Sequence, residues 1–342
     1  MDGKELFTRT IDFKSPDYIP ALVDLERNFL HDQNETKWEI IEQLLAEIGQ
    51  DNICSMSCWD DRQKIIDGVV YREDEWGTHW IDDGHGAFTT YHPMENGYED
   101  IDKVVFPDAA KPVRFTKADS QLANRRGRYM LGLVWFTLFE RMWMLRGFTN
   151  LLMDPYGDEE EDFFSLKQKV LDVNLAMIDQ WIARDVDGVY FSDDWGTQRS
   201  LLINPDEWRR LYKEDYAKMF AKVRKAGKHV WMHLCGNVSA ILPDLIEIGL
   251  NVLNPVQPQA MDVDELSRCF RGKLCFNGGV DVQGTLINGS PSQIKKELKH
   301  LIDIFGGKEG GYIINTSHSI MPETPLDNVI ALLEGILEYR KL

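Results

Sequence analysis

Eight short apolar runs recur along the chain: Ile19–Leu25, Ile53–Ser57, Tyr129–Trp135, Gly188–Ser192, His229–Leu234, Asn251–Val256, Leu274–Gly278 and Tyr312–Thr316. They are nearly all apolar rather than alternating, which is the pattern of strands covered on both faces. Between them, apolar residues fall at helical spacing. Asn204-Pro205-Asp206-Glu207 reads as a helix cap with proline in the first turn, and Trp208, Leu211, Tyr212, Tyr216, Met219, Phe220 and Val223 then share one face. Ser290-Pro291 and Thr324-Pro325 repeat that start signal, while Gly249 and Gly306-Gly307 mark stops. Strands alternating with helices predict a parallel sheet. Eight of them predict an α/β fold of the (β/α)8 (TIM) barrel type, with residues 1–342 forming one domain; an open doubly wound sheet is the alternative. From about Gly68 to Phe115 the rhythm breaks. Val69-Val70-Tyr71 and Trp76-Gly77-Thr78-His79-Trp80 there predict an inserted hairpin and loop over the barrel mouth.

Charge narrows the partners. The chain has 38 basic and 56 acidic side chains, a net charge of −18, and no clustered basic stripe, which argues against nucleic acid and anionic membrane surfaces. No apolar stretch has the length of a membrane span, and Met1-Asp2-Gly3-Lys4-Glu5 lacks a secretion-signal pattern. Five cysteines (54, 58, 235, 269 and 275) are an odd number that does not read as a disulfide framework. A reduced, cytoplasmic setting is expected.

In a barrel the C-terminal ends of the strands line the active site. Those positions here hold Trp135, Asp193-Asp194, His233 and Cys235, Gln257, Asp281 and His318. Imidazole and thiolate are preferred zinc ligands, and a turn leaving a strand can aim residues i and i+2 at one point. As a bare pattern His233-x-Cys235 is weak, because 8 His and 5 Cys give about 0.1 such pairs by chance. A buried histidine beside an inert thiol is the competing reading. The following Gly236-Asn237 allows a tight turn and favours a site. His318 is the natural third ligand, leaving a fourth position open as in catalytic zinc sites; binding a substrate without metal is its alternative role. One of Asp193 and Asp194 is expected to position substrate or act as general acid and base, with the choice between them open; the competing reading is a helix-capping pair with one carboxylate solvated. Gln257 and Asp281 are candidate substrate contacts that could equally satisfy loop backbone donors. Nucleophile-elbow, phosphate-loop, dinucleotide-fingerprint and CxxC motifs are absent.

Taken together, these segments resemble a known family. They are Asp187-Gly188-Val189 with Asp193-Asp194-x-Gly196-x-Gln198, His233-x-Cys235-Gly236-Asn237, Leu253-Asn254-Pro255-x-Gln257, Asn277-Gly278-Gly279-x-Asp281 and Ser317-His318-Ser319-Ile320. The chain from about Tyr129 onward resembles the uroporphyrinogen decarboxylase superfamily, and more specifically its corrinoid-dependent methyltransferase branch. The resemblance implies a (β/α)8 barrel and a zinc held by the His-x-Cys pair plus a later cysteine. That places His233 and Cys235 as ligands and puts His318 where the branch has its cysteine, a departure that histidine can fill. The decarboxylase's arginine-rich N-terminal segment and its aspartate motif are not found.

The function expected is a zinc-dependent transfer of a methyl group between a small methylated donor or thiol and a corrinoid protein. The corrinoid would arrive on a partner, since no cobalamin-binding signature is present, and a homodimer is what the family suggests. Tyr71, Trp76, Trp80 and Trp135 could shape a pocket for an aromatic methyl ether. The alternatives are a metal-free decarboxylase or lyase using His318 and an aspartate, and a non-catalytic small-molecule-binding barrel.

Overall fold

The computed structural model describes residues 1–23, 25, 35–49, 52–59, 61–66, 68–82 and 87–341. Seven of the eight expected strands form one curled parallel sheet: β1 (Ile53–Met56), β6 (Tyr129–Val134), β7 (Gly188–Ser192), β8 (His229–His233), β9 (Val252–Val256), β10 (Cys275–Val280) and β11 (Tyr312–Thr316). They pair in that order, each beside its predecessor in the sheet. From β6 to β11 their residues are buried almost throughout, as in strands covered on both faces, whereas in β1 only Met56 is buried.

The stretch expected as a first strand, Ile19–Leu25, makes only bridges among its described residues, and Asp24 lies outside them. Leu22 N–H donates to the Ile314 carbonyl at 2.8 Å, and Ile314 N–H donates to the Pro20 carbonyl at 2.9 Å. Single parallel bridges join Ala21 to Ile314 and Leu25 to Ile320. Pro20 has no N–H to give a ladder, so the segment lies along β11 without becoming a regular strand. Among the described residues no pairing joins it to β1.

Helices cover the outer face. Glu160–Ala183, following the acidic run at its N-terminus, buries Phe163, Leu166, Val170, Met177, Ile178 and Trp181. The Asn204 side chain accepts from Asp206 N–H at 2.8 Å, starting the helical stretch that carries Trp208, Tyr216 and Phe220 inward. Ser290 and Gln293 make a reciprocal capping box at the start of Pro291–Phe305. No helix of the described residues is long and apolar enough to cross a membrane.

The inner face is layered. Tyr129, Leu131, Trp231, Val252, Cys275 and Ile313 form an apolar cluster with Phe7 and Ile11 of the helix Gly3–Ile11. That helix is thus a plug under the strands. At the outer margin of this layer His229 Nδ1 lies 2.7 Å from the Tyr129 hydroxyl and Nε2 lies 3.0 Å from Asp12. Side chains alternate along a strand, so the residues two further on stand directly above this cluster. On β8 to β11 they are His233, Asn254, Asn277 and Asn315, and all four are polar.

The expected inserted hairpin is instead a separate four-stranded antiparallel sheet: β2 (Arg62–Ile66), β3 (Val69–Glu73), β4 (His79–Asp82) and β5 (Ala87–Tyr91). It begins before the anticipated boundary at Gly68, because the mixed run Arg62-Gln63-Lys64 gives no apolar signal although it pairs with Tyr71–Glu73. A buried ion pair between Arg141 and Asp74 ties it to the helix Phe139–Arg146, which follows β6. Asp74 also accepts from Trp76 N–H at 3.0 Å and Thr78 N–H at 2.9 Å, which fixes the β3–β4 turn.

Candidate metal centre at the strand ends

His233 is the last residue of β8, and Cys235 follows two residues on, after Leu234. Leu234 N–H donates to the Asn254 carbonyl at 2.7 Å, holding the exit from the strand against β9. The turn then reverses at Gly236, whose φ of +80° favours glycine. Here it meets the loop after β7 backbone to backbone. Gly196 N–H donates to the Cys235 carbonyl at 3.1 Å, and Asn237 N–H donates to Thr197 at 2.7 Å. A Cβ on Gly196 would sit 2.4 Å from the Cys235 oxygen, so only glycine fits.

This contact delivers Asp194 to the same point. Its Oδ1 accepts from Cys235 N–H at 2.8 Å and lies 3.9 Å from His233 Nε2. Cys235 Sγ is 3.2 Å from His233 Nε2. The three ligand atoms all lie within 4.8 Å of one another. Burial pushes the Cys235 thiol well above its ordinary value, and the Asp194 carboxylate pushes it further. A nitrogen, a sulfur and an oxygen donor set crowded this closely, with the Asp194 carboxylate opposing ionisation of the Cys235 thiol, matches what a zinc ion takes. A bound cation would relieve that opposition. The residues present therefore fit the metal.

The two adjacent aspartates are separated by the fold. Asp193 is fully buried; its oxygens accept from the backbone N–H of Leu138 and Phe139, each at 2.9 Å, of Glu140 at 2.6 Å, and from the Tyr216 hydroxyl. It is the anion at the N-terminus of the helix Phe139–Arg146. Burial pushes its carboxyl up to about 6 against the pull of those donors. Asp194, half-buried, faces the cluster. Beneath it lies Glu140, held well above the usual carboxylate range by burial and by the charges of Asp194 and Asp193. Ser192 Oγ donates to it at 3.2 Å.

His318 lies in the exposed turn after β11, its ring centroid 6.4 Å from that of His233. It neighbours the cluster, but Asp194 rather than His318 completes the compact trio. Trp135 lies against His233 with ring centroids 5.5 Å apart. Gln257 Oε1 accepts from Gly236 N–H, bracing the turn. Asp281 is turned away: it accepts from Gln259 at 2.6 Å and from Gln283 N–H at 2.9 Å, beside a different cavity. Trp76 is buried under Arg141, whose guanidinium sits 4.8 Å from its ring, and Tyr71 lines a cleft on the antiparallel sheet. A cavity of about 380 Å³ opens between the two sheets, walled by Trp59, Trp80, Trp135, Phe136, Arg72 and Arg141. Tyr190, Asn254, Asn277, Glu140 and Arg141 drew no role from sequence. Their signal was positional: a single polar residue inside an otherwise apolar strand, or a charge inside an apolar helix.

Residues 136–339 match the uroporphyrinogen decarboxylase (URO-D) family, and the chain belongs to it. Among curated relatives, a methylcobamide:CoM methyltransferase from Methanosarcina barkeri is 30% identical over 139 residues, covering 40% of this chain and 38% of the relative. A uroporphyrinogen decarboxylase from Thermus thermophilus is 29% identical over 193 residues, covering 56% of this chain and 53% of the relative. The matches thus span about half the length of these relatives or less. Among solved structures, a methyltransferase from Methanosarcina mazei superposes with a TM-score of 0.69 at 15% identity, covering 99% of both chains, a likeness of fold.

Proposed function

We propose that this protein is a zinc-dependent methyltransferase that moves a methyl group between a small methylated donor or thiol and a corrinoid carried by a partner protein. The observation that carries this reading is the Asp194–His233–Cys235 cluster at the ends of adjacent strands. The methyltransferase relative supports it. A closed, single-domain (β/α)8 barrel in the cytoplasm is the setting we infer, supported by the Pro20–Leu22 segment along β11.

Asp194, His233 and Cys235 would hold the metal. Zinc, when bound, supplies a Lewis acid that polarises a donor oxygen or nitrogen, or stabilises a substrate thiolate. The chain's own residues do the rest. Trp135 screens one side of His233 from water, and the aromatic cavity beside it has the size to seat a single substituted ring such as an aromatic methyl ether. His318, exposed at the rim, is placed to contact a ligand entering from solvent.

The test is metal content together with methyl transfer. Purified protein is expected to hold one zinc per chain, and Asp194→Ala, His233→Ala and Cys235→Ala to lose it while His318→Ala retains it. Supplied with a reduced corrinoid protein, the wild type should form methylcobalamin from a methoxy-aromatic, methylamine or thioether donor. A protein without stoichiometric zinc, or one unaffected by Cys235→Ala, overturns the proposal. The kinship with decarboxylases favours a second reading, metal-free decarboxylation, which predicts carbon dioxide release that survives Cys235→Ala.

A further inference from the structure

Above the apolar layer of the inner face, four side chains from four successive strands touch in a row. His233 Nδ1 on β8 lies 2.8 Å from Asn254 Oδ1 on β9. Asn254 Nδ2 donates to Asn277 Oδ1 on β10. Asn315 Nδ2 on β11 donates to the same Asn277 oxygen at 3.3 Å. Tyr190 on β7 reaches across from the other side, its hydroxyl donating to Asn254 Oδ1.

Two backbone groups fix the direction of this row. Asn277 Nδ2 donates to the Ile313 carbonyl at 3.2 Å, and a carbonyl can only accept. The amide of Asn277 must therefore point its nitrogen at β11 and its oxygen at Asn254. Asn315 Oδ1 accepts from Thr316 N–H at 2.8 Å, and a backbone N–H can only donate. That turns Asn315 Nδ2 toward the same Asn277 oxygen. Both anchors impose one polarity: Asn254 presents nitrogen to Asn277 and oxygen to His233. Asn254 and Asn277 are 7% and 1% exposed, so water does not offer them substitute partners.

We propose that Asn254, Asn277 and Asn315, with Tyr190, are positioning residues that lock His233 as its Nδ1–H tautomer. The proton sits on the nitrogen facing Asn254, and the Nε2 lone pair faces Cys235 Sγ and Asp194. A solvated, neutral histidine side chain favours the opposite tautomer, with the proton on Nε2. The asparagine row holds the less favoured form and keeps Nε2 open as a ligand before any metal arrives, as outer-shell partners do for metal-bound histidines. The tautomer follows from the hydrogen bonds alone; its purpose rests on the zinc reading given above.

The two parts separate by experiment. Metal-free protein labelled with ¹⁵N-histidine, with His233→Gln to assign the resonance, reports the tautomer directly through its imidazole ¹⁵N shifts. Wild type is expected as Nδ1–H. Asn254→Leu, which removes the acceptor, is expected to revert His233 to Nε2–H and to weaken zinc binding by about 10- to 100-fold. Asn254→Asp, which restores an acceptor, is expected to recover Nδ1–H. Circular dichroism melts confirm that each variant is folded, and the wild-type spectrum decides the question if Asn254→Leu does not fold. An Nε2–H signal in wild type, or Nδ1–H persisting in folded Asn254→Leu, overturns the proposal. Nδ1–H in a wild type that binds no zinc leaves the tautomer lock standing and removes the metal centre instead.

Discussion

Replacing each of the adjacent aspartates by alanine should give two different defects. Asp193 accepts three backbone N–H bonds from the first turn of Phe139–Arg146 and one from the Tyr216 hydroxyl, all in the interior. Asp193→Ala leaves four buried donors without a partner, each worth about 1–3 kcal/mol when orphaned. Some recover through local shifts or an admitted water, so a net loss of about 3–5 kcal/mol is expected, a large share of the roughly 5–15 kcal/mol that holds a typical domain together. Asp194 is half-buried and its carboxylate takes one backbone bond, from Cys235. Asp194→Ala should cost about 1 kcal/mol of stability yet lower zinc affinity by at least about 10-fold. Urea denaturation followed by tryptophan fluorescence measures the first quantity, and chelator competition monitored by elemental analysis measures the second. Equal destabilisation of the two variants, or an Asp193→Ala protein within about 1 kcal/mol of wild type, would refute the division of labour.

Other variants probe what surrounds the site. Gly236→Ala forces a Cβ to within 2.4 Å of the Gly196 backbone at a φ of +80°, so a loss of about 2–4 kcal/mol accompanied by loss of zinc is expected in denaturation and metal assays. Arg141→Ala leaves the Asp74 carboxylate buried without its cation. Expected is a cost of about 3–5 kcal/mol and new protease cleavage within residues 62–91, read by mass spectrometry. Burial lowers the imidazole of His229 below its ordinary value, and Asp12 only partly offsets this. A depressed histidine contributes stability fully above the unfolded value of about 6.5 and loses it as pH falls further, because the unfolded chain takes up the proton first. Melting temperatures of His229→Gln should therefore fall less steeply than those of wild type between about pH 7 and pH 5.

Much of the fold was legible because the parallel strands are buried on both faces and read as unbroken apolar runs. Seven of eight appeared where expected, with ends shifted by a residue or two. The eighth failed at Pro20, which breaks the ladder while leaving the hydropathy unchanged. The antiparallel sheet was half missed because β2 is fully exposed and its Arg62-Gln63-Lys64 start carries no apolar alternation. At the site, the strand-end rule picked out His233, Cys235 and Asp194, but it could not rank Asp194 above His318, since closeness there depends on how two loops dock. The polar row was overlooked for a subtler reason. Trp231-Met232-His233, Val252-Leu253-Asn254, Cys275-Phe276-Asn277 and Ile313-Ile314-Asn315 each change from apolar to polar at the second position along. A single strand shows this as one stray polar residue; only the shared register makes it a layer.

The joint between Gly196 and Gly236 has a consequence for transplanting or diversifying this site. With the main chains of residues 194–197 and 235–237 in direct contact, neither loop is an independent unit of inheritance. Exchanging one with a relative would import a backbone path cut to a different counterpart. Library construction or recombination should therefore treat the two loops as one cassette, with crossover points inside β7 and β8 rather than between them.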